Sequence, residues 1–204
     1  MRIEEIYKIL SAQKYYVFSL EDICAFFPDE KMATIKQGIS RWKKKGSIIT
    51  LRRGMYEFAY PVRQEIPDMH IANKLYSPSY ISLETALSYY NIIPEFAVAV
   101  TSVTTRPTRR LKNGYGLFLF HSIQPGAFRG YIIEKQSGFN VLVAEPEKAL
   151  VDFLYFKTRV NASMFDFNAE RLDKKRIKRL DKNKLDSYSR LYNLDLKRIL
   201  YAYL

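Results

Sequence analysis

A single cysteine, Cys24, serves the whole 204-residue chain. One thiol makes no intrachain disulfide and no thiolate zinc site. Its place in the apolar run 23–27 marks it as a small packed hydrophobe. Histidine is nearly as scarce. His70 and His121 are the only two, and neither stands at ligand spacing from another donor, so both read as surface or packing residues. No Gly-rich phosphate loop occurs: Asn-Gly-Tyr-Gly at 113–116 lacks the lysine and the following helix, and reads as a turn. A Gly-x-Ser-x-Gly nucleophile elbow is also missing. No apolar run nears the ~18 residues that a membrane span needs. The opening MRIEEIYKIL is acidic and amphipathic rather than signal-like. These gaps lead us to expect a cytoplasmic protein, not an enzyme, with no metal, cofactor or membrane partner.

Acidic residues are in short supply too, with 21 against 33 Lys and Arg, a formal charge of +12 and a pI near 9.6. Such a balance favours a polyanionic partner, nucleic acid first and an acidic protein or membrane surface second. The charge is uneven. Residues 1–60 carry 11 bases and 7 acids, residues 61–156 carry 9 and 8, and residues 157–204 carry 13 and 6. Two basic ends flank a neutral body, which suggests two contact surfaces or one assembled from both. A hydrophobic content of 48%, with 15% aromatic, argues against disorder, and the length suits one large or two small domains.

The N-terminal sixty residues hold the strongest pattern. Ile3, Ile6, Tyr7, Ile9 and Leu10 at helical spacing predict a first helix over 3–14, and 15–18 is β-prone. Ser19 is an N-cap for a second helix whose first turn holds Glu21 and Asp22, and Pro28 stops it. A third helix is predicted from about 29 to 45, with Gly46 as its stop. At 100° per residue, Ile35, Ile39 and Trp42 form its inner stripe. Gln37, Ser40, Arg41 and Lys44 fall on the opposite face, where their donors suit base edges and phosphates. Strands are predicted at 47–51 and 55–60 around an Arg52-Arg53-Gly54 turn. Eight bases in 31–60 face one acid, Glu57. Helix, helix, helix, hairpin is the order of a winged helix-turn-helix, with Lys36, Lys43, Arg52 and Arg53 placed for DNA phosphates.

Residues 61–67 read as a linker to an α+β second domain over 68–204. Its pattern predicts helices at 68–76 and from Ser82, strands at 96–103, 117–121, 130–134 and 140–144, and a helix opened by Pro146. A basic tail of short helices follows over about 160–204, with Leu172, Ile177 and Leu180 as sparse anchors. Arg106, Arg109, Arg110 and Lys112, preceded by Thr101, Ser102, Thr104 and Thr105, form either a solvated turn or a second anion-contacting surface. Glu145 and Glu147 suit a helix start, and Lys148 and Asp152 can pair four residues apart. The same four residues are also the best candidates for metal-dependent nuclease chemistry.

Four strings, YISLETALSYYNIIPE (80–95), VTSVTTRPTRR (100–110), FRGYII (128–133) and VAEPEKALVDFLYF (143–156), follow this N-terminal unit in order. Together they resemble the AbiEi-type antitoxins of bacterial abortive-infection toxin–antitoxin systems, over roughly residues 1–160. The resemblance implies a DNA-binding N-terminal domain that represses its own operon. It also implies a C-terminal domain that counteracts a nucleotidyltransferase-like toxin in type IV fashion, without a stable complex. Two further readings stay open: a protein-interaction module whose basic tail meets an acidic partner, and a nuclease-like enzyme.

Overall fold

The computed structural model describes residues 2–94, 98–159, 165–167 and 169–200. Helix α1 (Ile3–Ala12) leads into strand β1 (Val17–Ser19), then α2 (Leu20–Phe26), α3 (Met32–Lys44) and the hairpin β2 (Ile48–Arg52) and β3 (Met55–Phe58). The expected cap at Ser19 forms as a full capping box. Its hydroxyl accepts from Asp22 N at 3.1 Å, and its own N–H donates to the Asp22 carboxylate at 2.7 Å. Helix α3 starts later than its sequence suggests, because residues 28–30 form a turn and Lys31 takes the N-cap position. The hairpin turn is tighter than expected. Arg52 still pairs with Met55, so only Arg53 and Gly54 (φ +77°) make the bend.

The first sheet is antiparallel in the order β1-β3-β2. Its two faces are both covered. Phe18, Ile48 and Phe58 turn toward the helices and join Ile6, Leu10, Ile23, Ile35, Ile39 and Trp42 in one core. Burying each such side chain is worth about 1.5–3 kcal/mol. Val17, Leu51 and Met55 point the other way and belong to the core of the rest of the chain. The small sheet is therefore a shared wall between two cores.

That second core is built on helix α4 (Asp68–Leu75), strand β4 (Ser79–Ile81), helix α5 (Leu83–Tyr89) and strands β5 (Ala99–Thr104), β6 (Arg109–Asn113), β7 (Gly116–Ser122), β8 (Tyr131–Gln136) and β9 (Phe139–Ala144). The six strands form a mixed sheet in the order β6-β7-β5-β4-β9-β8, parallel at β7/β5 and β4/β9 and antiparallel elsewhere. Helix α6 (Pro146–Thr158) packs on α5 and β9, and the tail contributes α7 (Lys174–Ile177), α8 (Lys182–Arg190) and α9 (Leu196–Ile199). The architecture is α+β. Strands β4 and β6 have no counterpart in the sequence reading. The first is only three residues, and the second is an arginine-rich edge whose mostly exposed side chains hide any apolar alternation. Of the strand predicted over 96–103, Phe96 and Ala97 lie outside the described residues.

Gly38 sits inside α3 against the indole of Trp42. Replacing a helical glycine by alanine ordinarily gains about 1 kcal/mol. Here an added Cβ would stand 2.9 Å from the ring, which is only 2% exposed and cannot swing into solvent. Overpacking of this kind costs about 1–3 kcal/mol. We expect Gly38→Ala to lower the urea midpoint rather than raise it, and a raised midpoint would show that the indole gives way freely.

Candidate functional site

On α3 the outward residues Lys36, Gln37, Ser40, Arg41, Lys43 and Lys44 are all exposed, while Ile35, Ile39 and Trp42 are buried. The helical wheel thus sorts the two faces as the spacing predicts. Arg41 stands at the margin of the outward face. It lines a hollow of about 420 Å³ with Arg2, Lys45 and Tyr60, between α3 and the start of α1.

The two wing arginines part company. Arg53 is exposed at the turn. Arg52 is half-buried and points back into the protein, where its Nε donates to the Leu75 carbonyl at 2.6 Å and its Nη1 to the Arg53 carbonyl at 2.9 Å. Its expected place at the tip is corrected: it ends β2 and anchors the hairpin on the second unit. Asn113 donates to the Leu51 carbonyl at 3.3 Å in the same seam. Glu57, the lone acid of this region, is buried in the seam as well. It accepts from Tyr115 at 2.7 Å and from Arg63 at 3.0 Å, and burial together with this hydrogen bond pushes the Tyr115 phenol up to about 12.

Docking the hairpin brings Arg52 beside the second basic cluster. Arg106 lies over the Tyr76 ring at 4.5 Å and Arg109 at 5.5 Å, and Arg106 also donates to the Ser77 carbonyl at 3.1 Å. Burial, then the charges of Arg109 and Arg106, pull the Arg52 pKa below its usual value, with Glu21 opposing. Three arginines therefore gather at the end of α4, Arg106 and Arg109 over the Tyr76 ring and Arg52 on the Leu75 carbonyl, and nothing local in the sequence marks Tyr76 for this place. Arg110 and Lys112 alternate with Arg109 along β6 and lie on its other face. Of the four hydroxyl residues expected beside them, only Thr105 is partly exposed. Thr101, Ser102 and Thr104 are buried, and Thr101 and Thr104 donate to the Ser82 and Pro78 carbonyls at 2.8 and 2.7 Å.

The four carboxylate and lysine candidates on α6 form a different kind of centre. Lys148 and Asp152 are an ion pair with no exposure. Asp152 also accepts from Tyr192 at 2.5 Å, from Ser82 at 2.8 Å and from Tyr80 at 3.0 Å, while Lys148 donates to the Tyr192 hydroxyl at 2.9 Å. Burial pulls the Lys148 pKa down against the opposing charge of Asp152, and burial beside Asp152 pushes both tyrosines far up. Ser82, expected as a side-chain cap for α5, gives its hydroxyl to Asp152, and Thr101 Oγ1 takes the helix's Thr85 N–H at 3.0 Å instead. Glu145 and Glu147 do more than suit the helix dipole. Glu145 accepts from Tyr188 at 2.7 Å and from Lys184 at 3.1 Å, and Glu147 accepts from the Asp181 N–H at 3.1 Å, so both hold α8 in place.

All four family-like strings meet here. Tyr80 stacks on Tyr131 at 5.0 Å, meets the tilted ring of Phe128 at 5.1 Å, bonds Asp152, and is followed by Ser82, whose N–H donates to the Thr101 carbonyl at 3.2 Å. In the sequence, the four-residue spacing of Lys148 and Asp152 is what points to this centre. Nothing local marked Tyr80 or Tyr192 as their partners.

Compared with protein-family models and with curated proteins, the chain matches none. Among the described residues, no three His, Cys, Asp or Glu side chains gather as a metal site requires, and no helix is long and apolar enough to cross a membrane.

Proposed function

We propose that the N-terminal unit is a winged helix-turn-helix that binds double-stranded DNA, and that the chain is a transcriptional regulator of the AbiEi antitoxin type. One observation carries the DNA reading: helix–strand–helix–helix–hairpin order, closed by a sheet in the order β1-β3-β2, with the exposed basic face of α3 beside the hairpin. In this reading α3 enters the major groove and the hairpin lies along the flanking backbone. Gln37, Ser40, Arg41 and Lys44 meet base edges. Lys36, Lys43 and Arg53 meet phosphates, and Arg52 fixes the wing rather than touching DNA. Arg106 and Arg109, gathered beside the wing, extend the basic surface onto the second unit.

The test is fluorescence anisotropy on a duplex from the DNA upstream of the gene. Lys36→Ala, Lys43→Ala and Arg53→Ala together are expected to weaken binding to all sequences and to flatten the log–log salt slope by up to about three units. Gln37→Ala should instead relax preference at one or two base pairs, by about 1–3 kcal/mol each. An unchanged slope removes this face from the contact.

The antitoxin part rests on the resemblance. It requires that co-expression of the chain rescue growth from a nucleotidyltransferase-like toxin encoded next to it. Burial of Lys148 and Asp152 supports a structural role for them over metal-dependent nuclease chemistry. The exposed charges of the tail, above the buried Leu172, Ile177 and Leu185, favour an acidic protein partner as the second reading.

A further inference from the structure

Between the two units runs a cleft of about 920 Å³. One wall is the end of α1 and the chain after it, with Lys14 and Tyr15, and the other is α4 and the β8–β9 hairpin, with His70, Lys74 and Lys135. Three features set it apart from an ordinary surface groove. Its charge is one-sided. Lys14, Lys74 and Lys135 line it against a single acid, Asp22, whose carboxylate is engaged in the Ser19 capping box. None of the three lysines is in an ion pair among the described residues: Lys14 donates to the Gly138 carbonyl at 3.0 Å, and Lys74 lies over the Tyr15 ring at 4.5 Å. Second, a buried histidine offers an acceptor. His70 is 92% buried by its 8% exposure, and its Nδ1 faces the Asn140 carbonyl at 2.7 Å. A carbonyl only accepts, so Nδ1 carries the proton and Nε2 keeps its lone pair. Among the described residues Nε2 has no hydrogen-bond partner, and it is not among the fully buried atoms that lack one. Third, an apolar end is uncovered: Ile133, 65% exposed, stands beside Leu142 at the cleft wall.

We infer that this cleft binds a small organic phosphate of the nucleoside phosphate class. The lysines take the phosphate, the Nε2 of His70 accepts from a hydroxyl or amino group, and Ile133 and Leu142 cover the planar body. Its size lies within the usual range of about 300–1,000 Å³ for small-molecule sites, which favour such junctions between units. A lysine ammonium is a strongly hydrated point charge that suits phosphate without demanding bidentate geometry. The inference is independent of the DNA reading, because the site lies on neither the outward face of α3 nor the Tyr76 arginines.

The experiment is isothermal titration of the full chain with ADP, with no DNA present. One saturable site is expected, with Kd below about 100 µM. Lys74→Met with Lys135→Met should weaken it at least about tenfold, since methionine keeps the apolar stem but not the charge. Thermal unfolding of that double variant verifies that it is folded. Lys36→Met with Lys43→Met, on α3, should leave binding unchanged. Inorganic phosphate should bind at least about tenfold more weakly than ADP, because it leaves the apolar end uncovered. Absence of saturable ADP binding overturns the proposal. So does an equal loss in the α3 variant, which would mean unspecific attraction to a basic surface, or equal affinity for inorganic phosphate.

Discussion

Asp152→Ala is expected to destabilise the protein by about 3–5 kcal/mol, the cost of leaving a buried charge without its partner. The change removes the counter-ion of Lys148, which is fully buried, and the shared acceptor of Tyr80, Ser82 and Tyr192. For a chain of this length the melting temperature should fall by roughly 6–20 °C. Replacing both charges, Lys148→Met with Asp152→Leu, should recover part of the loss, since an apolar pair removes the desolvation penalty. Recovery stays incomplete because the three hydroxyls still lack an acceptor. Scanning calorimetry of the three proteins decides the matter. An Asp152→Ala variant within about 1 kcal/mol of the parent would mean that water reaches Lys148 and that the centre is not the keystone of the second unit.

Gly130→Ala should release the C-terminal tail. Gly130 has φ +77°, a left-handed conformation that costs a residue with a Cβ about 1–2 kcal/mol. The added Cβ would also lie 2.7 Å from the ring of Tyr188 on α8. The backbone cannot retreat, because the Gly130 carbonyl accepts from the Glu145 N–H at 2.9 Å. Tyr188 must therefore move, and its bond to Glu145 breaks with it. The stretch 171–184 is dense in Lys and Arg, so trypsin reports its opening directly. Cleavage there should quicken by about tenfold or more, tracking the population of the undocked tail. Gly126→Ala is the matched control, having no heavy atom within 4 Å of its added Cβ and no positive φ. If both variants are cut at the parent rate, the tail is not held through Tyr188.

The elements that the sequence marks well are those with a strong local period. Helix α3 is legible from Ile35, Ile39 and Trp42, and α2 from Ser19, Asp22 and Pro28, because capping and amphipathic burial are decided within a few residues. The exposed face of α3 follows from the same arithmetic. Arg52 illustrates the limit. Beside Arg53 and Gly54 it reads as a hairpin tip, yet the carbonyl it binds belongs to Leu75, 23 positions along the chain. Thr101 and Thr104 fail in the opposite sense. Their hydroxyls look like surface donors in a polar string, but the mixed sheet turns them inward onto neighbouring backbone carbonyls.

By itself, the sequence determined the N-terminal order of helices and hairpin, the sorting of α3 into a packed and a basic face, the basic ends around a neutral middle, and the pairing distance of Lys148 and Asp152. Tertiary structure alone decided that the small sheet contributes to a core on each face, that Arg52 on the Leu75 carbonyl comes beside Arg106 and Arg109 on Tyr76, and that Tyr80 and Tyr192, 72 and 40 positions from Asp152, complete its hydrogen bonds. The physical reason is range. A helix face or a cap arises from neighbours three or four residues apart, whereas a buried charge draws its partners from whatever strands and helices the sheet order brings together.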